Sequence, residues 1–230
     1  MSKATTIGVR CAHCGEYQTA RVYESLNGDR IAHAVEAVLD GSFEQLTCQR
    51  CDRVWRPEHV MLFSQFTRGV WIVMYPVTNR MHFELLETGV AQVIQRNFDE
   101  SPALIADDVR HARPRLVFGQ HMLSEAVRMT TLELAPALVE CAKLLTVRRR
   151  LAELTRWGVF ELALEQLDDR GDLACGVHAL PAGTRLGSVT IARDTVEEAR
   201  ANQSTFEQQY PELFHRPYVS ASRYLYGARI

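Results

Sequence analysis

The chain has 230 residues, of which 47% are hydrophobic and 23% are charged, and its formal net charge is −2 at pH 7. This composition suits a folded protein of one or two domains and excludes a largely disordered chain. The near-neutral charge also excludes a global field that would attract nucleic acid or anionic lipid.

The sequence contains no segment typical of export or membrane insertion. Residues 1–9 lack the long apolar core of a signal peptide. The most apolar stretch, 60–77, has Arg68 and Gly69 at its centre, where a charge would be costly in lipid. We therefore predict a cytoplasmic protein without membrane contact, in which cysteines serve as thiols or metal ligands and not as disulfides.

Four of the six cysteines form two Cys-x-x-Cys pairs, Cys11 with Cys14 and Cys48 with Cys51. Each such turn brings two sulfur atoms to one side of a tight loop. Two turns can therefore surround one Zn²⁺ with a tetrahedron of thiolates at about 2.3 Å. We predict one structural zinc ion per chain, since four thiolates leave no open position for catalysis.

The residues around the two pairs support this interpretation. Gly15 and Asp52 follow the pairs, and both tolerate the positive φ of a knuckle. A redox dithiol and a degenerate site without metal are the alternatives. His13 lies inside the first knuckle and could bind metal, but four thiolates already complete the site, so an exposed or supporting role is predicted.

The elements that flank the cysteines predict paired strands with an insertion. Thr5, Ile7 and Val9 alternate with other residues before the first pair. The two pairs are separated by 33 residues, Gly15 to Thr47, more than a plain zinc ribbon uses. Arg30–Leu39 has helical spacing, with a turn signal before it and Gly41 after it, and predicts an inserted helix.

These segments together resemble the CpXC family of bacterial proteins. The resemblance depends on Cys11-x-x-Cys14-Gly15, Leu26-Asn27, Val38–Phe43 and Cys48-x-x-Cys51. It covers residues 5–145 and becomes less specific toward the end of that range. Ala12 and Gln49 stand where the family has its name-giving prolines. Proline is no ligand, so the metal prediction is unchanged. The resemblance implies a zinc-ribbon-like fold and implies no activity.

After the cysteines, 60–66 and 70–77 predict a β-hairpin rich in β-branched and aromatic residues. A helix at 81–97 offers one apolar side, which we expect to cover that hairpin, although a partner surface is an alternative. Residues 99–113, with Asp107-Asp108, predict a connection. A short strand at 116–118 and three helices follow, at 120–130, 132–145 and 147–157, with Pro136 in a first turn.

Residues 110–156 carry a net charge of +5. A solvated helical face explains this charge, and an RNA or acidic-partner patch is the sharper alternative. His121 and Glu125 form an isolated pair at helical spacing, which has low specificity. Cys141 has no neighbour in sequence with which to form a pair, so we predict a buried thiol, and the same holds for Cys175.

The C-terminal part returns to β-structure. Strands are predicted at 160–167, 173–180 and 184–191, with a turn at 168–172 and a final helix at 194–208 capped by Asp194. The adjacent carboxylates Asp168-Asp169 need not face one substrate. The chain lacks a Gly-rich phosphate loop, a Gly-x-Ser-x-Gly elbow and a kinase motif set, so no catalytic residue is predicted.

The predicted class is α+β: a zinc-ribbon-like sheet with an inserted helix (1–98), a helical segment (99–159) and a small α+β layer (160–230). The predicted function is a zinc-stabilised interaction or adaptor module that binds a protein partner or its own copy. The alternative is a nucleic-acid-binding zinc ribbon, although residues 3–57 carry seven basic and seven acidic side chains. An enzyme with an unrecognised site is the third hypothesis, and a cleft that collects His, Asp and Glu would favour it.

Overall fold

A computed structural model describes residues 2–100 and 113–226 of the chain. Strands and helices occur in both halves, which confirms the predicted α+β class. The strands are β1 (Lys3–Arg10), β2 (Tyr17–Asn27), β3 (Leu46–Thr47), β4 (Val54–Trp55), β5 (Met61–Gln65), β6 (Val70–Tyr75), β7 (Arg113–Phe118), β8 (Phe160–Leu167), β9 (Leu173–Ala179) and β10 (Arg185–Ile191). The helices are α1 (Ala32–Asp40), α2 (Phe83–Glu100), α3 (Gly119–Thr131), α4 (Pro136–Arg149), α5 (Leu151–Leu154), α6 (Arg193–Ala201), α7 (Gln203–Gln209), α8 (Pro211–His215) and α9 (Ser222–Tyr226).

A five-stranded mixed sheet in the order β1-β2-β5-β6-β7 forms the centre of the N-terminal half. β1 with β2 and β5 with β6 are antiparallel hairpins, and the second is the predicted one, with its turn at Phe66–Arg68 where the sequence predicted residues 67–69. The two hairpins meet in a short parallel pairing of Ser25–Asn27 with β5. Residues 17–24 of β2 therefore extend beyond β5 together with β1, as a two-stranded ribbon.

The segment between the cysteine pairs contains β2, α1 and β3, and β3 pairs antiparallel with β4, which follows the second pair. Asn27 Oδ1 accepts the backbone N–H groups of Asp29 and Arg30, so the predicted turn precedes the helix. Gly41 ends α1 with φ of 80°, a left-handed conformation that glycine adopts without strain. α1 packs on α3, and together they cover one face of the sheet through Ala34, Val38 and Leu123.

The opposite face of the sheet is covered by α2, as the sequence predicted. Phe83 and Val90 of α2 pack in one buried cluster with Trp71, Leu116 and Phe118 of β6 and β7. The side chains of Val93, Ile94 and Phe98, and the predicted connection with Asp107-Asp108, lie outside what the structure describes.

The C-terminal half is a three-stranded antiparallel sheet, β10-β9-β8, which packs on α3 and α4, and α6 packs on α4. All three predicted strands are confirmed. Cys141 and Cys175 are fully buried in this core, as predicted. Asp168 Oδ1 accepts the N–H groups of Arg170 and Asp172, so this carboxylate organises the predicted turn.

Three predicted helices differ from the structure. The helix predicted at 132–145 begins only at Pro136, because proline favours the first helical position. The helix predicted at 147–157 is reduced to α5 and a 3₁₀ turn. The helix predicted at 194–208 is broken at Asn202, and it begins after Ala192, so Asp194 lies in the first turn and does not cap it.

The basic stretch forms in part the solvated face that its composition suggested, since Arg148, Arg149 and Arg156 are exposed, but two of its members are buried. Lys143 and Arg115 are 1% and 8% exposed, because each lies at the interior side of its element. Arg148 donates to the hydroxyl of Tyr210. Its two neighbours form ion pairs, Arg149 with Glu198 and Arg150 with Glu153. The described charges are therefore mostly paired or buried and form no continuous patch.

The predicted first region ended at residue 98, yet β7 lies beyond it and pairs with β6 in the same sheet. Leu116 of β7 in turn donates its N–H to the carbonyl of Pro217, 2.9 Å away. The three-part division of the chain stays a prediction.

Within the two described ranges, every helix is too short or too polar to cross a bilayer.

Candidate metal centre

The first cysteine knuckle closes the hairpin between β1 and β2. The N–H of Cys11 donates to the carbonyl of Glu16 at 2.8 Å, and the N–H of Gly15 donates to the carbonyl of Cys11 at 2.9 Å. Gly15 has φ of 73°, the positive value predicted for it. The N–H of His13 points at Cys11 Sγ at 3.4 Å, which stabilises negative charge on that sulfur.

The second knuckle repeats this hydrogen-bond pattern between β3 and β4. The N–H of Cys48 donates to the carbonyl of Arg53 at 3.0 Å, and the N–H of Asp52 donates to the carbonyl of Cys48 at 3.0 Å. Asp52 has φ of 54°, so it takes the place of Gly15 in the turn. Two knuckles of the same local geometry therefore present their sulfur atoms in the same way.

The fold brings the two knuckles face to face. Cys11 Sγ lies 3.8 Å from Cys51 Sγ, and Cys14 Sγ lies 3.5 Å from Cys48 Sγ. All four sulfur atoms lie within 4.8 Å of one another, and none forms a disulfide. A tetrahedron of sulfur atoms about 2.3 Å from a central Zn²⁺ has edges of about 3.8 Å. The donor set and its spacing therefore fit a tetrahedral metal ion.

Contacts outside the sulfur atoms hold the knuckles together. The buried side chain of Gln18, on β2, accepts the N–H of Gln49 at 3.3 Å. Arg50 forms an ion pair with Glu16 across the two turns at 3.4 Å. These contacts position the second knuckle on the ribbon independently of a metal ion.

The site is buried on one side and open on the other. Cys48 and Cys11 are 0% and 3% exposed, whereas Cys14 is exposed. Backbone N–H groups of Arg50 and Cys51 lower the pKa of Cys48 to about 7, so a large fraction of this side chain is thiolate near neutral pH. His13 is exposed and stands outside the group of possible metal ligands, which matches the supporting or exposed role predicted for it.

A second polar site that sequence reasoning missed lies beside the first knuckle. A cleft of about 570 Å³ runs between that knuckle, α3 and the β8–β10 sheet. Within it, the rings of His121 and His178 stack with their centroids 4.3 Å apart. His121 Nε2 lies 2.7 Å from Glu161 Oε1, and His178 Nδ1 lies 3.1 Å from the carbonyl of Gly183.

Glu161 is the buried centre of this arrangement. Its burial alone would raise its pKa, but the hydrogen bond and charge of His121, together with Arg80, lower the pKa below its usual range. Arg80 Nε in turn donates to the hydroxyl of Tyr218 at 3.0 Å. The His121–Glu125 pair suggested by helical spacing is not formed, because Glu125 points into the core and binds Lys143.

Sequence separation explains why the histidine site was missed. Its members come from α3, β8 and β9, and 57 positions separate His121 from His178. Residues so far apart in the sequence form no motif with a characteristic spacing. Only the packing of α3 on β8 brings them together.

The fold and the sulfur cluster define a mixed α+β protein with a four-cysteine site of the metal-binding type. The family model for CpXC proteins matches residues 9–143, more than half of the chain, and the chain belongs to that family. The resemblance seen in the sequence is thereby confirmed, even without the two prolines. Comparison with curated proteins and with solved structures gave no match.

Proposed function

We propose that the four cysteines bind one structural Zn²⁺ and that the protein is a zinc-stabilised interaction module of the bacterial cytoplasm. Four thiolates in closed tetrahedral spacing are typical of structural zinc sites, which stabilise a fold without reacting. Zn²⁺ would be held by Cys11, Cys14, Cys48 and Cys51. It would fix the end of the β1–β2 ribbon to the insertion.

The single observation that carries the interaction role is the free edge of the ribbon. Within the described residues, β1 pairs with β2 on one side only. Tyr23, on the other edge of the ribbon, is already satisfied, since its N–H donates to Glu44 Oε1 at 2.6 Å. An unpaired strand edge without proline can add a strand from a second polypeptide. We therefore assign β1 as the docking edge for a protein partner or a second copy.

The test is to alter the edge while leaving the ribbon intact. A charged side chain on an edge strand opposes strand addition. Thr6→Lys places such a charge on β1, and Thr88→Lys makes the same change at an exposed threonine of α2, outside the ribbon, and is the control. We expect wild type and Thr88→Lys to self-associate or retain a protein from native extract, and Thr6→Lys to lose that association. A wild-type protein that is monomeric by light scattering and retains no protein would overturn the proposal.

Nucleic-acid binding is the alternative role for a zinc ribbon. The ribbon and insertion have balanced charge, and the basic stretch is divided by burial and ion pairs. Backbone-phosphate binding needs a continuous cationic surface. We expect no shift of RNA or DNA in a gel at low salt.

A second candidate function, acid–base chemistry, is favoured by the His121–Glu161 contact. A carboxylate can only accept from the imidazole, so His121 Nε2 carries a hydrogen and Nδ1 is the ring nitrogen left to exchange a proton with a substrate. A base oriented in this way by a buried carboxylate, at a cleft, is typical of hydrolytic sites. Wild type and His82→Gln should hydrolyse p-nitrophenyl acetate or p-nitrophenyl phosphate faster than His121→Gln. Equal rates for all three proteins would exclude this function.

A further inference from the structure

A further cavity is lined by residues that belong neither to the cysteine site nor to the histidine cleft. It has a volume of about 650 Å³ and is bordered by the start of β7, the first turn of α4, and the segment from α8 to Val219. No sequence motif pointed to it. Ala91 of α2 and Gln203 of α7 complete the lining, so the walls come from five separate parts of the chain.

The charged groups on its walls are all basic. Arg113, Arg115, Arg216 and His215 line the cavity, and the described lining residues include no Asp or Glu. His215 is engaged by Glu207 at 3.0 Å. For the three arginines, no hydrogen bond or ion pair of the side chain is formed within residues 2–100 and 113–226. Within the described residues, the cavity wall therefore presents three arginines that have no hydrogen-bonded or ion-paired acidic partner.

Arg115 is the most informative of these side chains. It is 8% exposed, and its Nε and Nη1 are buried without a hydrogen-bond partner in the described part of the chain. Glu125 and Glu140 act on Arg115 only through longer-range attraction, and Lys143 is bonded to both. A buried guanidinium with unused donors is costly unless an acceptor reaches it. Arg115 thus supplies the cationic donor of a charge-assisted hydrogen bond, and the anionic acceptor would come from a ligand.

The first turn of α4 adds a second attraction for an anion. Ala135, Pro136 and Ala137 line the cavity, so the positive end of a 14-residue helix opens onto it. This turn contains no acidic residue and has no side-chain cap. A helix N-terminus beside a buried, unpartnered arginine is a favourable site for a carboxylate or phosphate.

The remaining walls are mainly apolar. Leu138, Leu213, Phe214 and Val219 line the cavity, and the lining includes three prolines in all and one uncharged polar side chain, Gln203. A bare inorganic anion would leave these surfaces uncovered, whereas an anion with an apolar body would contact both parts of the cavity.

We propose that this cavity binds an amphipathic anion, in which a carboxylate or phosphate group meets Arg115 and the α4 N-terminus and an apolar body lies against Leu138 and Phe214. The proposal is independent of the zinc site and of the docking edge. It assigns to the protein the binding of a small molecule, in addition to metal binding and protein interaction.

The experiment is calorimetric titration of the full-length, zinc-loaded protein with four probes: octanoate, octyl phosphate, inorganic phosphate and 1-octanol. We expect saturable binding of octanoate or octyl phosphate at one site per chain, and binding at least about tenfold weaker for inorganic phosphate and 1-octanol. Tighter binding of octanoate would identify a carboxylate as the preferred head group, and tighter binding of octyl phosphate would identify a phosphate. Absence of saturable binding of both octyl anions, or equal binding of 1-octanol, would overturn the proposal.

Variants then assign the binding to the cavity. Arg115→Gln should weaken the octyl anion about tenfold or more, through loss of a charge-assisted contact. Because Arg115 is buried, the exposed pair Arg113→Gln/Arg216→Gln provides a second variant that should fold normally and weaken binding in the same direction. Arg170→Gln, in the turn after β8, is the matched control and should bind as wild type. Unchanged affinity in both cavity variants would refute the assignment.

Discussion

The ring of His178 stacks on the ring of His121, with the two planes only 13° from parallel. Burial, and then the charge of His121, lower the pKa of His178 to about 4. The folded protein therefore keeps His178 neutral under conditions in which the unfolded chain, with an ordinary histidine pKa near 6.5, already binds a proton.

This difference predicts a pH-dependent stability. Between about pH 6.5 and about pH 4 the unfolded state binds more protons, so the free energy of unfolding falls as the pH is lowered, by up to about 3 kcal/mol. His178→Asn keeps a donor for the carbonyl of Gly183 and removes the titrating ring. Urea unfolding at several pH values should give a smaller slope for His178→Asn than for wild type. His82→Asn, at an exposed position, should retain the wild-type slope, and a slope unchanged in His178→Asn would contradict the prediction.

Removal of one of the four cysteines should release the proposed zinc ion and destabilise the fold. Cys48→Ser replaces the most buried thiol of the site, and we expect less than stoichiometric zinc and a loss of about 3 kcal/mol or more, or roughly 10 °C in melting temperature. Elemental analysis and thermal unfolding measure the two effects. Cys141→Ala, a buried cysteine outside the site, is the control and should keep one zinc per chain. Full zinc content in Cys48→Ser would exclude the assigned ligand.

The two lysines of the chain should differ sharply in their contribution to stability. Lys143 Nζ donates to Glu125 at 2.5 Å and to Glu140 at 2.6 Å, and all three side chains are buried. Lys143→Met would leave two carboxylates without their cation, at a cost of about 3–5 kcal/mol. Lys3 pairs with Glu24 at the surface, so Lys3→Met should cost less than about 1 kcal/mol. Denaturant unfolding of the two variants compares them directly, and similar losses would be inconsistent with this account.

Two glycines should respond in opposite ways to alanine. Gly119 has φ of 79°, and an added Cβ would lie 2.4 Å from Cγ2 of Val77. Gly119→Ala should therefore cost about 2 kcal/mol or more, from backbone strain and overpacking. Gly89 lies within α2 with open space around it, so Gly89→Ala should stabilise the protein by up to about 1 kcal/mol. Thermal unfolding checks both signs, and a neutral Gly119→Ala would show that β7 and α3 can rearrange at their junction.

Local patterns predicted most of the secondary structure. The hairpin of β5 and β6, the three C-terminal strands and Pro136 at the start of α4 all follow from residues that are close in sequence. The breaks were missed where local propensity was ambiguous. Asn202 interrupts a pattern that would otherwise continue as one helix, and its side chain bonds back to the carbonyl of Glu198.

Charges were harder to place than apolar residues. The basic stretch looked solvated, yet Lys143 and Arg115 are buried, because a compact core can accept a charge that an opposite charge accompanies. Glu125 shows the same limit: its helical spacing suggested His121 as a partner, but its side chain faces Lys143 on α4. The packing of α3 against α4 and β8 decides which of these side chains Glu125 contacts.

By itself the sequence determined the four cysteines, their two knuckles and the family, since Cys-x-x-Cys turns with Gly15 and Asp52 are local structures that short-range sterics dictate. Only the tertiary structure decided how the two knuckles meet, which histidine stacks on which, and which arginine is buried beside a helix N-terminus. The physical reason is that these contacts join residues tens of positions apart. Their geometry follows from the burial of apolar surface in the whole molecule, which no local pattern records.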